Sequence, residues 1–330
     1  MNKFSGEVEH LSGWDTVTEQ DIYHCYRLIL DREPDPDGWT TYTSAVKNGM
    51  SLQSLVNSFL NSTEFRNRQL AREDARSQPL LVDAESFKIY VSDLDSPVAQ
   101  CIVGTRRYEP HVTAAVRQIL KPGMVFVDVG ANFGYHSLTA AREVGDSGCV
   151  HCFEPNPYFC KLLYLSGKVN GFENIEIYPV AVADRKMNVI YDDTHGNGRI
   201  SQFDANLEST PNRFVVRAWT LDDLLRDERS IDLIKMDVEG AEHLVILGAK
   251  NILKTHRPVI ISEFSPAGLQ NVSGVSGQDF LQQLVDEQYE ISVLEADGRL
   301  TRFGVDGGKL LRRLDNSGNS FLDLMAAPVE

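Results

Sequence analysis

The chain has 330 residues, of which 42% are hydrophobic and 24% are charged, an ordinary globular composition that excludes a wholly disordered protein. Lys and Arg number 32 against 47 Asp and Glu, and the formal net charge of −15 argues against broad electrostatic binding to nucleic acid or an anionic membrane. No apolar stretch reaches the roughly 18–20 residues of a membrane helix, and the first residues lack the pattern of a secretory signal. Five scattered cysteines do not suggest a disulfide framework, so we expect a reducing, cytoplasmic setting.

The first part of the chain predicts several short helices. Apolar side chains recur at helical spacing over residues 22–30, and the turn-rich residues 31–38 separate them from a second amphipathic helix that ends near Asn48. Ser51 is placed to cap a third helix, and a fourth would hold Phe65.

A domain boundary is predicted where the chain turns polar, at residues 71–79, which show no apolar periodicity. We therefore expect a small helical domain over residues 1–75 and a larger domain over residues 76–330. The larger domain begins with apolar residues that alternate or cluster, and this pattern predicts a β-rich lead-in over residues 81–118.

From residue 124 onwards, strands and helices alternate, which predicts an α/β domain with a parallel sheet covered on both faces. Strand-like apolar runs begin at Met124, Cys149, Ile175, Ile231, Val259 and Tyr289. Residues 185–218 interrupt this rhythm, and we interpret them as an insertion with a glycine-rich loop and an extra strand at residues 214–219.

A glycine-rich turn follows the first of these strands and indicates a nucleotide site. Gly130 permits a tight turn, and Gly134 lets the next helix pack closely on the strand. Two features differ from a dinucleotide-binding turn: the middle glycine is replaced by Asn132, and Asp128 would repel a pyrophosphate. The turn therefore disfavours an NAD-dependent dehydrogenase and suits a ligand with a positive amino group.

Two more acids stand at predicted strand ends, where open α/β sheets bind ligands. Glu154 lies 24 residues after Gly130, where a carboxylate can accept hydrogen bonds from both hydroxyls of a ribose. Asp237 ends a predicted central strand, and Glu239 and Glu242 open the following helix. The helix dipole accounts for acids at a helix start but not for Asp237.

Four segments in this order carry a family resemblance: Asp128-Val-Gly-Ala-Asn-Phe-Gly-Tyr135, Phe153-Glu-Pro-Asn-Pro157, Ile234-Lys-Met-Asp-Val-Glu-Gly-Ala-Glu242 and Ile260-Ile-Ser-Glu263. Together they resemble the FkbM family of S-adenosylmethionine-dependent methyltransferases, over roughly residues 81–325. The resemblance implies the Rossmann-like class I methyltransferase fold, whose seven-stranded, mostly parallel sheet ends in an antiparallel strand, here at residues 321–325. Residues 30–39 and 59–65 resemble a small domain of unknown function that is attached to bacterial glycan-modifying enzymes.

The resemblance implies a cofactor role for nine residues of the turn and strand ends. The methionine part of S-adenosylmethionine would lie against Asp128, Gly130, Asn132, Gly134 and Tyr135. The ribose would be held by Glu154, and the adenine would be bordered by Asn156, Ala181 and Val182. Core packing is the alternative role for Ala181 and Val182.

The acceptor side of the site would need a base, because a sugar hydroxyl is a poor nucleophile and must lose its proton. Asp237 and Glu239 are implied to face the methyl group or the acceptor. The possible bases are Glu239, Glu263, His136, His195 and His243. Asp237, Glu239 and Glu263 together could also hold Mg²⁺ through oxygen ligands.

The motifs support methyl transfer, and the two resemblances imply the acceptor: the main functional hypothesis is an O-methyltransferase that acts on a sugar hydroxyl in a bacterial polysaccharide, lipopolysaccharide or other glycan. Methylation of a small-molecule natural product is one alternative, and a non-catalytic scaffold in a glycan-assembly complex is another. We expect a sugar or glycan acceptor, no nucleic-acid partner, and a protein or oligomer contact through the N-terminal helical domain.

Overall fold

A computed structural model describes residues 17–30, 32–60, 62–64, 79–92, 96–193, 198–202 and 213–329. The chain divides into two compact units, Met1–Ser77 and Gln78–Glu330. Within the described ranges, none of the helices combines the length and apolar character needed to cross a bilayer.

The first unit contains three described helices, in agreement with the sequence pattern: α1 (Glu19–Ile29), α2 (Pro36–Lys47) and α3 (Leu52–Leu60). Thr18 and Asp21 form a capping box at the start of α1, and the Asp35 carboxylate accepts the N–H of Gly38 at 2.8 Å at the start of α2. Buried side chains such as Tyr26 and Phe59, whose rings are 4.8 Å apart, form its core. The predicted fourth helix at Phe65 lies outside the described residues.

The second unit alternates strands and helices through most of its length. Its strands are β1 (Leu80–Asp83), β2 (Lys88–Val91), β3 (Val125–Val129), β4 (Cys149–Phe153), β5 (Ile175–Tyr178), β6 (Ala181–Val182), β7 (Met187–Asp192), β8 (Arg199–Gln202), β9 (Arg213–Trp219), β10 (Leu233–Met236), β11 (Val259–Phe264), β12 (Tyr289–Leu294), β13 (Leu300–Gly304) and β14 (Leu322–Pro328). Its helices are α4 (Pro97–Thr105), α5 (Pro110–Ile119), α6 (Tyr135–Val144), α7 (Pro157–Asn170), α8 (Leu221–Leu224), α9 (Glu242–Leu247), α10 (Lys250–Thr255), α11 (Pro266–Val272), α12 (Gly277–Asp286) and α13 (Gly307–Ser317).

The predicted β-rich lead-in over residues 81–118 is wrong beyond β2. The hairpin β1–β2 is present, but α4 and α5 occupy most of the remaining residues. Pro97 and Pro110 stand at the first positions of these helices, where the fixed φ of proline suits a helix start. Val98 and Ile102 are four residues apart and both buried, so the apolar cluster follows a helical period rather than the period of a strand.

The main sheet has the strand order β13-β12-β14-β11-β10-β3-β4-β5. The five strands from β11 to β5 run parallel, and β14 lies antiparallel between β11 and β12. This arrangement confirms the predicted class I methyltransferase fold with its antiparallel last strand. β13 extends it to eight strands by forming an antiparallel hairpin with β12 at the sheet edge.

Both faces of this sheet are covered, as parallel sheets require. All five residues of β3 are buried, and successive residues point to opposite faces. Phe126 packs in one apolar core, whereas Val127 packs in the other. The buried centre therefore holds the carboxyl ends of β3, β4, β10 and β11 at one fixed edge.

The insertion at residues 185–218 contains more regular structure than the sequence predicts. Its strands β7, β8 and β9 join β6 in a second sheet with the order β6-β9-β7-β8. The extra strand predicted at residues 214–219 is part of β9. Buried residues including Tyr191 and Ile200 form the core of this sheet, which stands beside the carboxyl edge of the main sheet.

Candidate active site

A pocket opens at the carboxyl ends of the central strands and contains about 950 Å³ of space outside the protein atoms, part of which is open to solvent. Chain segments after β3, β4, β10 and β11 meet there because parallel strands end at one edge. Polar lining residues include Asn132, His136, Glu154, Lys235, Asp237, Glu239 and Glu263.

The glycine-rich turn after β3 forms one wall through unusual backbone conformations. Gly130, Asn132 and Gly134 all have positive φ angles, of 82°, 52° and 86°. The N–H of Gly130 donates to the carbonyl oxygen of Phe153 at 2.9 Å, which ties the turn to the end of β4. A Cβ at Gly130 would lie 2.0 Å from the Asp237 carbonyl oxygen, so only glycine fits between the ends of β3 and β10.

Gly130→Ala is therefore expected to destabilise the protein by more than the roughly 1–2 kcal/mol that a left-handed conformation costs an L-residue. The control is Gly171→Ala, since Gly171 has a φ of 73° but no described atom within 4 Å of its Cβ position. Urea unfolding of both variants separates the steric overlap from the backbone strain. Equal losses of unfolding free energy in the two variants would show that the steric overlap with Asp237 adds nothing to the cost of Gly130→Ala.

Glu154 follows β4 and is only 3% exposed, although it lines the pocket. Its Oε2 accepts the N–H of Asn132 and its Oε1 accepts the N–H of Asn156, each at 2.8 Å. Burial raises the pKa of Glu154 to about 7, against the lowering effect of these backbone donors. Oε1 also accepts the Tyr191 hydroxyl at 3.5 Å, whereas Oε2 retains a second lone pair that can accept a ligand hydroxyl.

Six of the nine predicted cofactor residues line the pocket: Gly130, Asn132, Tyr135, Glu154, Ala181 and Val182. The lining does not include Asp128, Gly134 or Asn156. Asp128 Oδ2 accepts the Ser137 hydroxyl at 2.6 Å, whereas Oδ1 is buried and has no hydrogen-bond partner within the described ranges. The Asn156 side-chain amide donates to Asp193 at 2.6 Å.

Charged side chains gather at the ends of β10 and β11, on the other side of the pocket. Lys235, 5% exposed, lies 3.4 Å from the Asp237 carboxylate. Glu239, with a positive φ of 55°, and Glu263 also line this region. The sequence-predicted catalytic acids are therefore brought to one place, with a buried ammonium group among them.

Burial and mutual repulsion control the protonation of these groups. Burial, with the charges of Asp237 and Glu239, raises the pKa of Glu263 to about 9. Burial also raises the pKa of Asp237, and the Lys235 ammonium opposes that change. Burial would lower the pKa of Lys235, but the surrounding carboxylates outweigh it, so its pKa stays above the ordinary value. Glu263 is thus mainly protonated near neutral pH, where it can donate a hydrogen bond but is a poor base.

This shift predicts a pH-dependent effect of Glu263→Gln on stability. Unfolded Glu263 would ionise near its ordinary pKa of about 4.3, whereas the folded state holds the proton up to about pH 9. Its contribution to stability is therefore complete below pH 4 and is lost as the pH rises through 9. Glutamine is neutral throughout, so thermal unfolding of the variant relative to the parent should improve progressively from pH 5 to pH 9. A difference in thermal stability between variant and parent that stays constant from pH 5 to pH 9 would contradict the raised pKa of Glu263.

The three histidines predicted as possible bases differ in their position relative to the pocket. His136 lines the pocket, and its Nε2 lies 2.9 Å from Oε2 of Glu109. His243 does not line the pocket, and its Nδ1 lies 2.6 Å from the Gln283 side-chain oxygen. His195 lies outside the described residues.

The structure gives no support to Mg²⁺ binding by Asp237, Glu239 and Glu263. Although all three residues line the pocket, the described part of the chain contains no group of three or more His, Cys, Asp or Glu side chains that could hold a metal ion.

Sequence reasoning missed several lining residues, of which Lys235, Tyr108 and Tyr191 are the most notable. A lysine inside an apolar central strand is rarely buried without a partner. The position of Lys235 in the sequence therefore indicates a buried cation with an acidic partner nearby. Tyr108 comes from the lead-in and Tyr191 from the insertion, and no local pattern links either residue to the pocket.

Two family models match the chain. The family model for the methyltransferase FkbM domain matches residues 128–302, and a model for a domain of unknown function, DUF4214, matches residues 3–69. A 2-O-methyltransferase, NoeI, of Sinorhizobium fredii is 27% identical over 208 residues, which cover 58% of this chain and 80% of the relative.

Solved structures with similarity include a methyltransferase FkbM from Methylobacillus flagellatus, 13% identical, with 92% of this chain and 58% of that chain covered and a TM-score of 0.39. An S-adenosylmethionine-dependent O-methyltransferase from Thermotoga maritima is 16% identical. The match covers 76% of this chain and 78% of that chain, with a TM-score of 0.39. The FkbM model spans more than half of the 330 residues. The chain belongs to the FkbM family of S-adenosylmethionine-dependent methyltransferases.

Proposed function

We propose that this methyltransferase transfers the methyl group of S-adenosylmethionine to a hydroxyl of a sugar in a bacterial glycan. The observation that carries the proposal is the pocket itself, in which the buried Glu154 faces one end and the group Lys235, Asp237 and Glu263 faces the other. The name of the relative NoeI, a 2-O-methyltransferase, supports oxygen as the methylated atom.

The described residues fit the cofactor. Glu154 Oε2 has a lone pair available for one ribose hydroxyl, and Oε1 can accept the second in place of its 3.5 Å contact with the Tyr191 hydroxyl. Ala181 and Val182 offer apolar contact to an adenine. Asp128 Oδ1, buried and unpartnered among the described residues, suits the positive amino group, directly or through a water molecule. When bound, S-adenosylmethionine supplies a methyl group made electrophilic by its sulfonium.

The acceptor is proposed to bind at the ends of β10 and β11. Sugar hydroxyls both donate and accept hydrogen bonds, so they can pair with the Asp237 and Glu239 carboxylates, the Lys235 ammonium and the protonated Glu263. These contacts would align one hydroxyl for in-line displacement, which is the larger part of catalysis for such a transfer. Residues 264–285 and the insertion are the proposed surroundings of the rest of the sugar.

We further propose that residues 76–330 form the catalytic domain and residues 1–75 form a cytoplasmic helical domain that contacts a partner protein or a second copy. This helical domain is covered almost fully by the DUF4214 match. Gel filtration and cross-linking of the full chain, with and without residues 1–75, test the contact.

The test of function is transfer of radioactive methyl from S-adenosylmethionine to bacterial glycan extracts, with small-molecule hydroxyl acceptors in parallel. We expect labelled glycan with the parent protein and almost none with Asp237→Asn. Label only in small molecules would favour the natural-product alternative, and failure to bind S-adenosylmethionine in calorimetry would favour the scaffold. Loss of transfer with a chelator, restored by Mg²⁺, would add a metal that our proposal does not use.

A further inference from the structure

The pocket is short of positive charge at its acceptor end, which is formed by Lys235, Asp237, Glu239 and Glu263. Among the described residues that line the pocket, Lys235 is the one Lys or Arg. Its ammonium is buried and lies 3.4 Å from the Asp237 carboxylate. This cation is therefore already paired within the protein, and an incoming anion would have to compete with Asp237 for it.

The acidic groups at this end outnumber that cation. Asp237 and Glu239 line the wall together with Glu263, whose pKa of about 9 keeps it neutral near pH 7. Burial is the main cause of this raised pKa, and the charges of Asp237 and Glu239 add to it. Glu263 thus retains its proton where a further negative charge is unfavourable. A ligand carboxylate placed beside it would meet the same burial and the same repulsion.

The histidines near this end bring no net positive charge. The Nε2 atom of His111 lies 2.7 Å from the Asp323 carboxylate, and the Nε2 atom of His136 lies 2.9 Å from the Glu109 carboxylate. A charged histidine ring is balanced by its carboxylate, whereas a neutral ring leaves that carboxylate in excess. Neither pair therefore offers a free cation in either protonation state.

Backbone N–H groups, which are also common ligands of anions, are occupied at the turn after β10. The Glu242 carboxylate, whose residue is only 2% exposed, accepts the N–H groups of Val238 and Gly240 at 3.1 and 3.2 Å. The protein's own carboxylate thus occupies the donors that a ligand carboxylate or phosphate would use.

The segments proposed to surround the acceptor supply few further cations. Residues 264–285 contain no Lys or Arg, and neither do residues 194–197 and 203–212 of the insertion. The other basic residues of the insertion contact side chains of the protein, except for the exposed Arg199, whose charge acts on Glu239. These contacts join Arg185 to Asp184, Lys186 to Asp223, Arg213 to Asp192 and Arg217 to Asn188.

We propose that the sugar ring methylated by this protein carries no carboxylate or phosphate, an inference that rests on the proposed function. Hydroxyls of an uncharged ring can donate to the carboxylates of Asp237 and Glu239 and accept from the protonated Glu263, so both kinds of group find partners. A uronic acid or a sugar phosphate would instead place an anion without a free cation among acids in a partly buried site, which costs free energy relative to water.

The test uses the full chain, S-adenosylmethionine labelled with ¹³C in its methyl group, and a bacterial glycan extract that contains neutral, uronic and phosphorylated sugars. NMR correlations from the transferred methyl identify the ring that received it. The chemical shift of carbon 6 and coupling to phosphorus then show whether that ring carries a carboxylate or a phosphate. We expect about tenfold or more label on uncharged rings than on charged rings, the ratio for a repulsion of about 1.4 kcal/mol. A smaller ratio would overturn the inference.

Glu239→Gln tests whether charge causes this selectivity, because glutamine nearly keeps the size of the side chain and removes its negative charge. We expect the ratio of label on charged rings to label on uncharged rings to rise by roughly threefold to tenfold, the effect of one charge in a partly solvated site. The matched control is Glu173→Gln, which removes an equal charge from the exposed pair with Lys168 and should leave the ratio unchanged. An unchanged ratio in Glu239→Gln would reject repulsion by this residue.

Two outcomes separate this inference from the proposed function. Label mainly on uronic or phosphorylated rings would reject the charge selectivity and leave methyl transfer to a sugar intact. Absence of label on every sugar, from a protein that binds S-adenosylmethionine in calorimetry, would reject the sugar acceptor and this inference with it.

Discussion

Glu154→Ala is expected to weaken S-adenosylmethionine binding by roughly 10²–10⁴-fold, the largest effect of any single change on the cofactor side. Two ribose hydroxyls would each donate to the buried carboxylate, and a hydrogen bond to a charged group is worth about 1.5–3 kcal/mol. Calorimetry with S-adenosylmethionine and its demethylated product measures both affinities, which should fall together because both carry the same ribose.

The matched control is Glu173→Ala, which removes an exposed acid that pairs with Lys168 on the surface. This variant should bind the cofactor as the parent does. Circular dichroism must show that Glu154→Ala remains folded, because the carboxylate also holds the N–H groups of Asn132 and Asn156. A folded Glu154→Ala variant with parental affinity would reject the ribose role.

The same residue predicts how affinity depends on pH. Burial raises the pKa of Glu154 to about 7, so near pH 6 most of the free protein carries a neutral carboxyl there. Hydroxyl donors bind the ionised form better, and deprotonation must then accompany binding. We expect affinity to rise about tenfold from pH 6 to pH 8, in step with the ionised fraction at a pKa near 7. Affinity that is flat over this range would show that Glu154 does not face the ribose.

Much of the fold could be predicted from the sequence because its signals are local. The apolar runs of β3, β4 and β10 end in Asp128-Val-Gly130, Glu154 and Asp237, and chain order alone places these ends at one edge. The prediction for the lead-in is wrong because Val98 and Val103, which are β-branched and typical of strands, lie in the helix α4.

The rest of the site could not be predicted because it depends on contacts between distant segments. The contact of Glu109 with His136 spans 27 residues, and the approach of Gly130 to Asp237 spans more than 100. No local spacing encodes either contact. Whether an acid is buried, and therefore protonated like Glu263, depends on neighbours that only the packed sheet brings together.

The ion pair between the buried Lys235 and the partly buried Asp237 leads to the largest expected effect on stability. Lys235→Met should lower the free energy of unfolding by up to about 3–5 kcal/mol, the value for a fully buried pair, because it leaves the Asp237 carboxylate without its cation. The loss should be smaller at pH 5 than at pH 8, since protonation of Asp237 removes the unpaired charge. Lys168→Met, which breaks the exposed pair with Glu173, is the control and should cost less than about 1 kcal/mol.

A double-mutant cycle tests whether the effect belongs to the pair. If the carboxylate left without its cation causes the loss, Lys235→Met combined with Asp237→Leu should be more stable than Lys235→Met alone, because neither charge remains buried. Urea unfolding of the four proteins gives the coupling energy directly. A double variant no more stable than Lys235→Met would instead assign the loss to Asp128 and Glu109, whose charges also act on Lys235. The double variant keeps Glu154 and should still bind S-adenosylmethionine, which calorimetry checks as evidence that the pocket is intact.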